Sequence, residues 1–243
     1  MPKKEYDCLI FDADHTLLDF AADESAAFRV FYEDIGIEPT DEVIAFSRHH
    51  SEDTWTRAGL RNVHETEMQR RYHELYRSHL TELFQIIFDK YPPKGLLTPK
   101  QAGERFLVHL EQVGAPLPHA EAVLSKLSQK TGGKYRICIA TNGLVSIQTG
   151  RLQMLKNYAH ELYISEEMGV IKPDPAFFAQ IFEQMGVTAE NCLMIGDSLA
   201  SDVLGANRVQ MDSCWVNVER RKNPTPICPT YEIHSLLELL ELL

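Results

Sequence analysis

The chain has 243 residues, 44% of them hydrophobic, enough for one large domain or two modest ones with a packed core. Its formal net charge is −11 and its isoelectric point about 5.4, which excludes broad binding to nucleic-acid polymers or to anionic membranes, since both need a basic surface. A small anionic ligand stays open, because a bound metal reverses the local field.

Residues 6–11 read as a buried strand, and the run Cys8-Leu9-Ile10-Phe11 leads straight into Asp12 and Asp14. Residues two apart in a strand share a face, so at a strand end both carboxylates can turn toward one ligand. Two acids that close repel each other and raise one pKa unless a cation sits between them. The pair has three readings: a divalent metal site, an acid/base pair, or a plain turn, where Asp is common.

From 19 to 114 helical periodicity dominates and no strong strand run appears. Helices are predicted over 22–35, with Gly36 as the stop, and over 41–49, with Asp41 as N-cap. A long one spans 65–91 and is closed by Pro92-Pro93. Another opens at Thr98-Pro99 and runs to 113, ending at Gly114. Segment 19–114 therefore reads as a helical insert, and 1–18 with 115–243 as an α/β core.

After Pro116-Leu117-Pro118 strand and helix alternate. Strands are predicted over 135–140, 162–164, 192–195 and 214–218. Helices are predicted over 119–129, 145–155 and 200–209. One more starts at Asp174 (N-cap) and Pro175 (N1) and stops at Gly186. Ser235-Leu236-Leu237-Glu238 has the capping-box form and opens a C-terminal helix. Alternation of this kind predicts a parallel sheet with helices on both faces.

The five cysteines include no C-x-x-C pair. Cys8, Cys138 and Cys192 sit in apolar strand-like runs and read as buried free thiols. That usage fits a reducing compartment. The basic start Met1-Pro2-Lys3-Lys4-Glu5 precedes an apolar run too short for a signal peptide, and no stretch approaches a membrane span. The expected location is the cytoplasm. The histidines, His49-His50 included, show no zinc-ligand spacing and read as scattered on the surface. Arg220-Arg221-Lys222 reads as a solvated loop.

Polar residues end three predicted strands: Asp12/Asp14, Thr141/Asn142 and Asp197/Asp202. In open parallel sheets ligands bind beyond the carboxyl ends of the strands. Lys172 lies on the loop after the short strand. Four carboxylates, a hydroxyl and an ammonium form the set that phosphoryl transfer through a covalent intermediate needs.

These residues resemble the motifs of the haloacid dehalogenase superfamily of phosphohydrolases, in order and over the whole chain. They are Asp12-Ala13-Asp14-His15-Thr16, then Thr141, then Lys172 before Pro173, then Gly196-Asp197-Ser198-Leu199-Ala200-Ser201-Asp202. The resemblance implies a Rossmann-like parallel core with a helical cap inserted after the first strand. It implies that Asp12 attacks phosphorus to form an aspartyl-phosphate and that Asp14 is the general acid and then base. Thr141 and Lys172 would hold phosphoryl oxygens, with backbone amides around Asn142 and Gly143 at a helix start. Mg2+ would bind to Asp12, Asp197 and the backbone carbonyl of Asp14, with Asp202 close by, a hard-oxygen set. Each residue also has a structural alternative. Asp197 and Asp202 can cap a helix, Lys172 can be an exposed lysine, and Thr141 can bond to backbone.

Asp14 separates subclasses within that resemblance. A dehalogenase needs no acid there, whereas phosphatases and phosphomutases share the pair. The Thr141-Asn142-Gly143 segment and the run from Ile164 to Pro173 look most like pyrimidine 5′-nucleotidase-type members. His15 departs from the more usual Gly or Asp. The implied function is a Mg2+-dependent phosphomonoesterase acting on a small phosphorylated substrate, a nucleoside 5′-monophosphate. A sugar-phosphate phosphatase or phosphomutase, and a non-catalytic phosphate-sensing protein, are the alternatives. Trp55, beside Arg57 and Arg61 in the insert, is a candidate base-stacking residue, with packing inside the insert as its competing role.

Overall fold

A computed structural model describes residues 4–243. The basic start Met1-Pro2-Lys3 lies outside the described residues. The chain divides into two compact units. One holds residues 4–19, Pro116–Val145 and Leu152–Leu243; the other holds Phe20–Ala115 and Ser146–Arg151. The second unit therefore takes in a segment, Ser146–Arg151, from well outside the expected 19–114 insert.

The first unit is a parallel sheet of β1 (Cys8–Phe11), β2 (Arg136–Thr141), β3 (Glu161–Ile164), β4 (Cys192–Gly196), β5 (Asp212–Val216) and β6 (Tyr231–Ile233). The order is β3-β2-β1-β4-β5-β6, with every pair parallel. The central strand β1 is buried at every position, which is why its sequence is a continuous apolar run rather than an alternation. Its side chains still obey the two-residue period. Leu9 and Phe11 join one apolar cluster with Val123, Leu124 and Leu127, while Cys8 and Ile10 join another with Phe177, Phe178 and Ile181. Cys8, Cys138 and Cys192 are buried free thiols in that second cluster. Among the described residues, no helix is long and apolar enough to cross a membrane.

The second unit contains α1 (Phe20–Asp34), α2 (Asp41–Arg57), α3 (Thr66–Lys90) and α4 (Pro99–Glu111). Gly36 stops the chain after α1 with φ 73°, a left-handed conformation that suits glycine. Asp41 is not the N-cap of α2: the Thr40 side chain accepts from the Val43 N–H, and Asp41 is the first helical residue. The helix also runs eight residues past the expected end at 49, through the polar stretch His50-Ser51-Glu52-Asp53. At α4, Thr98 and Gln101 form a capping box around Pro99. The core is aromatic, with Phe28 stacked on Phe106 at 4.4 Å and Phe31 against Phe84 at 4.8 Å. A buried ion pair ties three segments of this unit. Asp23 Oδ2 accepts from Arg151 Nη2 at 2.7 Å, and Asp23 Oδ1 accepts from the Ala115 N–H at 2.7 Å.

Downstream lie α5 (Ala120–Leu127), α6 (Val145–Arg151), α7 (Ser165–Met168), α8 (Pro175–Met185), α9 (Leu204–Arg208) and α10 (Leu239–Leu242). Asp174 caps α8 through the Ala176 N–H. Three expectations fail here. The helix expected over 145–155 ends at Arg151. The one over 200–209 begins as a π turn at Leu199–Val203 before α9. The C-terminal capping box is incomplete: Ser235 Oγ accepts from Leu237, but Glu238 accepts from the His234 N–H rather than from the cap residue.

His79 on α3 is buried, and its Nδ1 donates to the Tyr76 carbonyl at 2.6 Å. Burial pushes its imidazole down to about 4, against the pull of that carbonyl. Unfolded, the ring titrates near ~6.5. Its contribution to stability is therefore complete above that pH and is lost as the pH falls toward the folded value, by about 2 kcal/mol at pH 5. Thermal unfolding at pH 7.5 and pH 5 checks this. The wild type should lose more Tm on acidification than His79→Asn, and equal losses would refute it.

Candidate active site at the carboxyl edge of the sheet

Because every strand is parallel, the carboxyl ends of β1, β2 and β4 open on one edge, and Asp12, Thr141 and Asp197 stand there. Asp12 extends the ladder by one bond, from its N–H to the Ile195 carbonyl at 2.8 Å. The chain then folds back tightly, with the Ala13 carbonyl accepting from the amides of Leu17 and Leu18 at 2.8 and 2.9 Å. His15 takes a left-handed conformation in this turn, φ 60°. That explains why Gly or Asp is usual here: both enter this region at less cost than most residues.

Lys172 is not an exposed lysine. Its side chain is 1% exposed, and all three ammonium hydrogens have acceptors. Nζ donates to Asp12 Oδ1 at 2.7 Å, Asp202 Oδ1 at 2.7 Å and the Ala140 carbonyl at 2.6 Å. In this arrangement Lys172 fixes two carboxylates, with each of its three donors engaged by a protein acceptor. The Asn142 side chain brackets the lysine backbone from both sides, donating to the Lys172 carbonyl at 2.9 Å and accepting its N–H at 2.8 Å. Asn142 therefore holds the Lys172 backbone in place.

The Gly143 N–H is also committed, donating to Ser165 Oγ at 3.0 Å, and the Val145 N–H donates to Glu166 Oε2 at 2.7 Å. Thr141, the last residue of β2, is buried at 2% exposure. Trp55 lies in the other compact unit, its ring edge-on to Tyr76 at 5.3 Å and to His79 at 5.2 Å. These contacts favour the packing alternative, while the ring stays half-buried.

Asp202 is fully buried, and both its oxygens are engaged: Oδ1 by Lys172 and Oδ2 by the Ser198 N–H at 3.0 Å. Gly196 permits this approach, because a Cβ there would lie 2.2 Å from Asp202 Oδ2. Asp197 is held by its own carbonyl, which accepts from Trp215 Nε1 at 2.8 Å.

The site holds more negative charge than Lys172 can balance. Burial raises the Asp12 carboxyl, Lys172 pulls it back down, and Asp202 and Asp197 raise it further. Burial likewise pushes Asp197 up to about 7, with Asp202 adding to it and Arg221 opposing. Burial disfavours the charge on Lys172, but Asp12 and Asp202 outweigh it and hold the ammonium charged. One oxygen from each of Asp12, Asp197 and Asp202 lies within 4.8 Å of the others. Hard carboxylate oxygens around a charge deficit fit Mg2+.

Sequence reasoning missed Asn217 and Arg221. Buried Asn217, just past β5, bonds through its side chain to the Arg221 N–H at 2.8 Å and to the Arg221 carbonyl at 2.9 Å. The turn so built carries Arg221 Nη2 to 3.8 Å from Asp197 Oδ2. Asn217 fell inside the strand expected over 214–218, whereas β5 runs Asp212–Val216 and leaves it just past the strand end. Arg221, one cation in a basic run, carried no signal of its own.

The fold and this edge define a Rossmann-like α/β protein with a buried acid–lysine site, and comparison with known proteins places it. The haloacid dehalogenase-like hydrolase family matches residues 6–210, and the chain belongs to that family of enzymes. It is similar over nearly its full length to two curated proteins. These are pyrimidine 5′-nucleotidase PynA of Streptococcus pneumoniae (33% identical, 98% of this chain and 95% of PynA) and pyrimidine 5′-nucleotidase YjjG of Escherichia coli (29% identical, 98% of each chain). Among solved structures, the putative HAD-hydrolase YfnB of Bacillus subtilis, described as bound to magnesium, superposes with a TM-score of 0.81. It is 30% identical over 98% of this chain and 99% of that one.

Proposed function

We propose that the chain hydrolyses nucleoside 5′-monophosphates, pyrimidine nucleotides foremost, to nucleoside and phosphate through an aspartyl-phosphate on Asp12. The observation that carries the chemistry is the Lys172 ammonium, which holds a buried carboxylate, Asp12, at the carboxyl edge of the sheet. The nucleotide as substrate rests on the two full-length relatives named as pyrimidine 5′-nucleotidases.

In the first step an Asp12 carboxylate oxygen attacks phosphorus while the bond from phosphorus to the ester oxygen breaks. Asp14 gives that oxygen its proton. In the second step water attacks the phosphorus of the aspartyl-phosphate, and Asp14, now ionised, takes the water's proton. The bond from phosphorus to Asp12 breaks and inorganic phosphate leaves. Such acid/base help contributes typically ~10²–10⁴-fold. Lys172 keeps Asp12 ionised and oriented, and Thr141 Oγ1 donates to a phosphoryl oxygen. Asp12, Asp197 and the Asp14 carbonyl would hold Mg2+, which when bound offsets the charge of substrate and acids together.

The test is a panel of phosphomonoesters assayed with Mg2+ and with excess chelator. Turnover is expected only with the metal, and kcat/KM should be highest for UMP- and dTMP-type substrates. Full activity in chelator would remove Mg2+ from the reading. A preference for triose or sugar phosphates would move the chain toward the glyceraldehyde 3-phosphate phosphatase of Methanopyrus kandleri, 32% identical over 49% of this chain.

A further inference from the structure

On α2, in the compact unit that lacks the carboxylate site, a second set of ligand atoms converges. A ring nitrogen from each of His49 and His50 and a carboxylate oxygen of Asp53 all lie within 4.8 Å of one another. His49 Nε2 is 3.4 Å from Asp53 Oδ2, and His50 Nδ1 is 3.5 Å from the same oxygen. Donors around a tetrahedral ion with bonds of about 2.0–2.1 Å stand roughly 3.3–3.4 Å apart. Both imidazoles are thus already at chelating distance from the acid.

The helix produces this arrangement. His49 and Asp53 are four apart and His50 and Asp53 three apart, the two spacings that make neighbours on a helix surface. The acid is flanked by the two rings, whose centroids are 5.1 Å apart. The His50 ring is held by Phe46, whose ring it meets near-perpendicularly at 4.2 Å. The His49 side chain is 70% exposed, which leaves the outer side of the cluster open to water as a further ligand.

We propose that His49, His50 and Asp53 bind a divalent late transition-metal ion of the zinc class. Two imidazoles and one carboxylate suit Zn2+, Ni2+ or Cu2+, whereas Mg2+ keeps to oxygen ligands and its own waters. The chain then sorts two kinds of metal by donor chemistry, hard oxygens at the sheet edge and nitrogen-rich donors on α2. An ion held by residues one turn apart binds only the folded helix, so it stabilises the unit that contains α2 by mass action.

The experiment is a calorimetric titration of Zn2+ into the full chain at pH 7.5, with Mg2+ saturating so that the sheet-edge acids are filled. The wild type should take up one equivalent of Zn2+, and Zn2+ should raise its Tm. His49→Ala and His50→Ala should each weaken binding by at least the ~10–100-fold typical of losing an outer-shell partner, and should abolish the Tm rise. His64→Ala, an exposed histidine away from the cluster, should change neither. His49 projects mostly into solvent, so its replacement tests the site without threatening the fold. Binding of unchanged affinity in both His49→Ala and His50→Ala, or no Zn2+ uptake by the wild type, would overturn the proposal. In either case the three residues are a plain imidazole–carboxylate cluster.

Discussion

Asp12→Asn is expected to abolish turnover and at the same time to raise the thermal stability of the metal-free protein. The amide cannot attack phosphorus, so no phosphorylated enzyme should form, and the loss should be ~10⁴-fold or more, as when other covalent nucleophiles are removed. The stability gain follows from the same burial. Asp12 stands among Asp197, Asp202 and one lysine, and burial with these acids disfavours its charge. Asparagine keeps the shape and removes that cost, a trade of function against stability. Asp14→Asn is the contrast. It leaves the nucleophile in place and removes only proton transfer, so turnover should fall by roughly 10²–10⁴-fold. The fall should be smaller for aryl phosphates, whose leaving oxygens need little protonation. Mass spectrometry of protein quenched during turnover should find phosphate on Asp12 in the wild type, and calorimetry should find a higher Tm in Asp12→Asn. Residual turnover near wild type, or an equal loss for aryl and alkyl esters in Asp14→Asn, would remove these roles.

How much of this was legible depended on where the information lay. The β1 run and its two aspartates were plain because a doubly covered strand is uniformly apolar and the site begins where it ends. α2 was cut short because His49-His50-Ser51-Glu52-Asp53 offers no apolar stripe, and its buried contacts past that point reduce to Thr54 and half-buried Trp55. β6 was missed because it is a three-residue edge strand pairing only with β5, too short for any period to show. α6 ends at Arg151, whose side chain enters the buried pair with Asp23, a partner 128 residues away that the local sequence does not announce. The strand ends picked out most of the polar residues at the sheet edge. What they could not give was the bonding among them. Lys172 and Asp12 are 160 residues apart, and nothing local says that the ammonium spends every donor on Asp12, Asp202 and Ala140. Nor does local sequence say that Asn142 serves the lysine backbone or that Gly143 is taken by Ser165.

That bonding sets the expected result for Lys172→Met. Methionine roughly fills the lysine's volume but leaves Asp12 and Asp202 buried without their shared cation. Removing one partner of a buried ionic cluster costs about 3–5 kcal/mol, which for a chain of this size is a fall in Tm of roughly 6–20 °C. Activity should fall with it by ~10²-fold or more, as when a preorganised donor is lost. Without the ammonium, burial and the neighbouring acids Asp202 and Asp197 act together against the ionised form of Asp12, the form that attacks. Mg2+ should restore part of the Tm, because a second cation meets the same acids. Adding Asp202→Asn to Lys172→Met should recover a further share, since one of the two stranded charges is gone, but it should recover no turnover, since Asp12 is still unassisted. Circular dichroism melts of the wild type, both single variants and the double variant close the cycle. A coupling energy near zero would mean that Lys172 and Asp202 act independently. A Tm unchanged in Lys172→Met would mean that the acids are already neutral without the lysine, and the assignment of Lys172 as the group that keeps Asp12 ionised would fall.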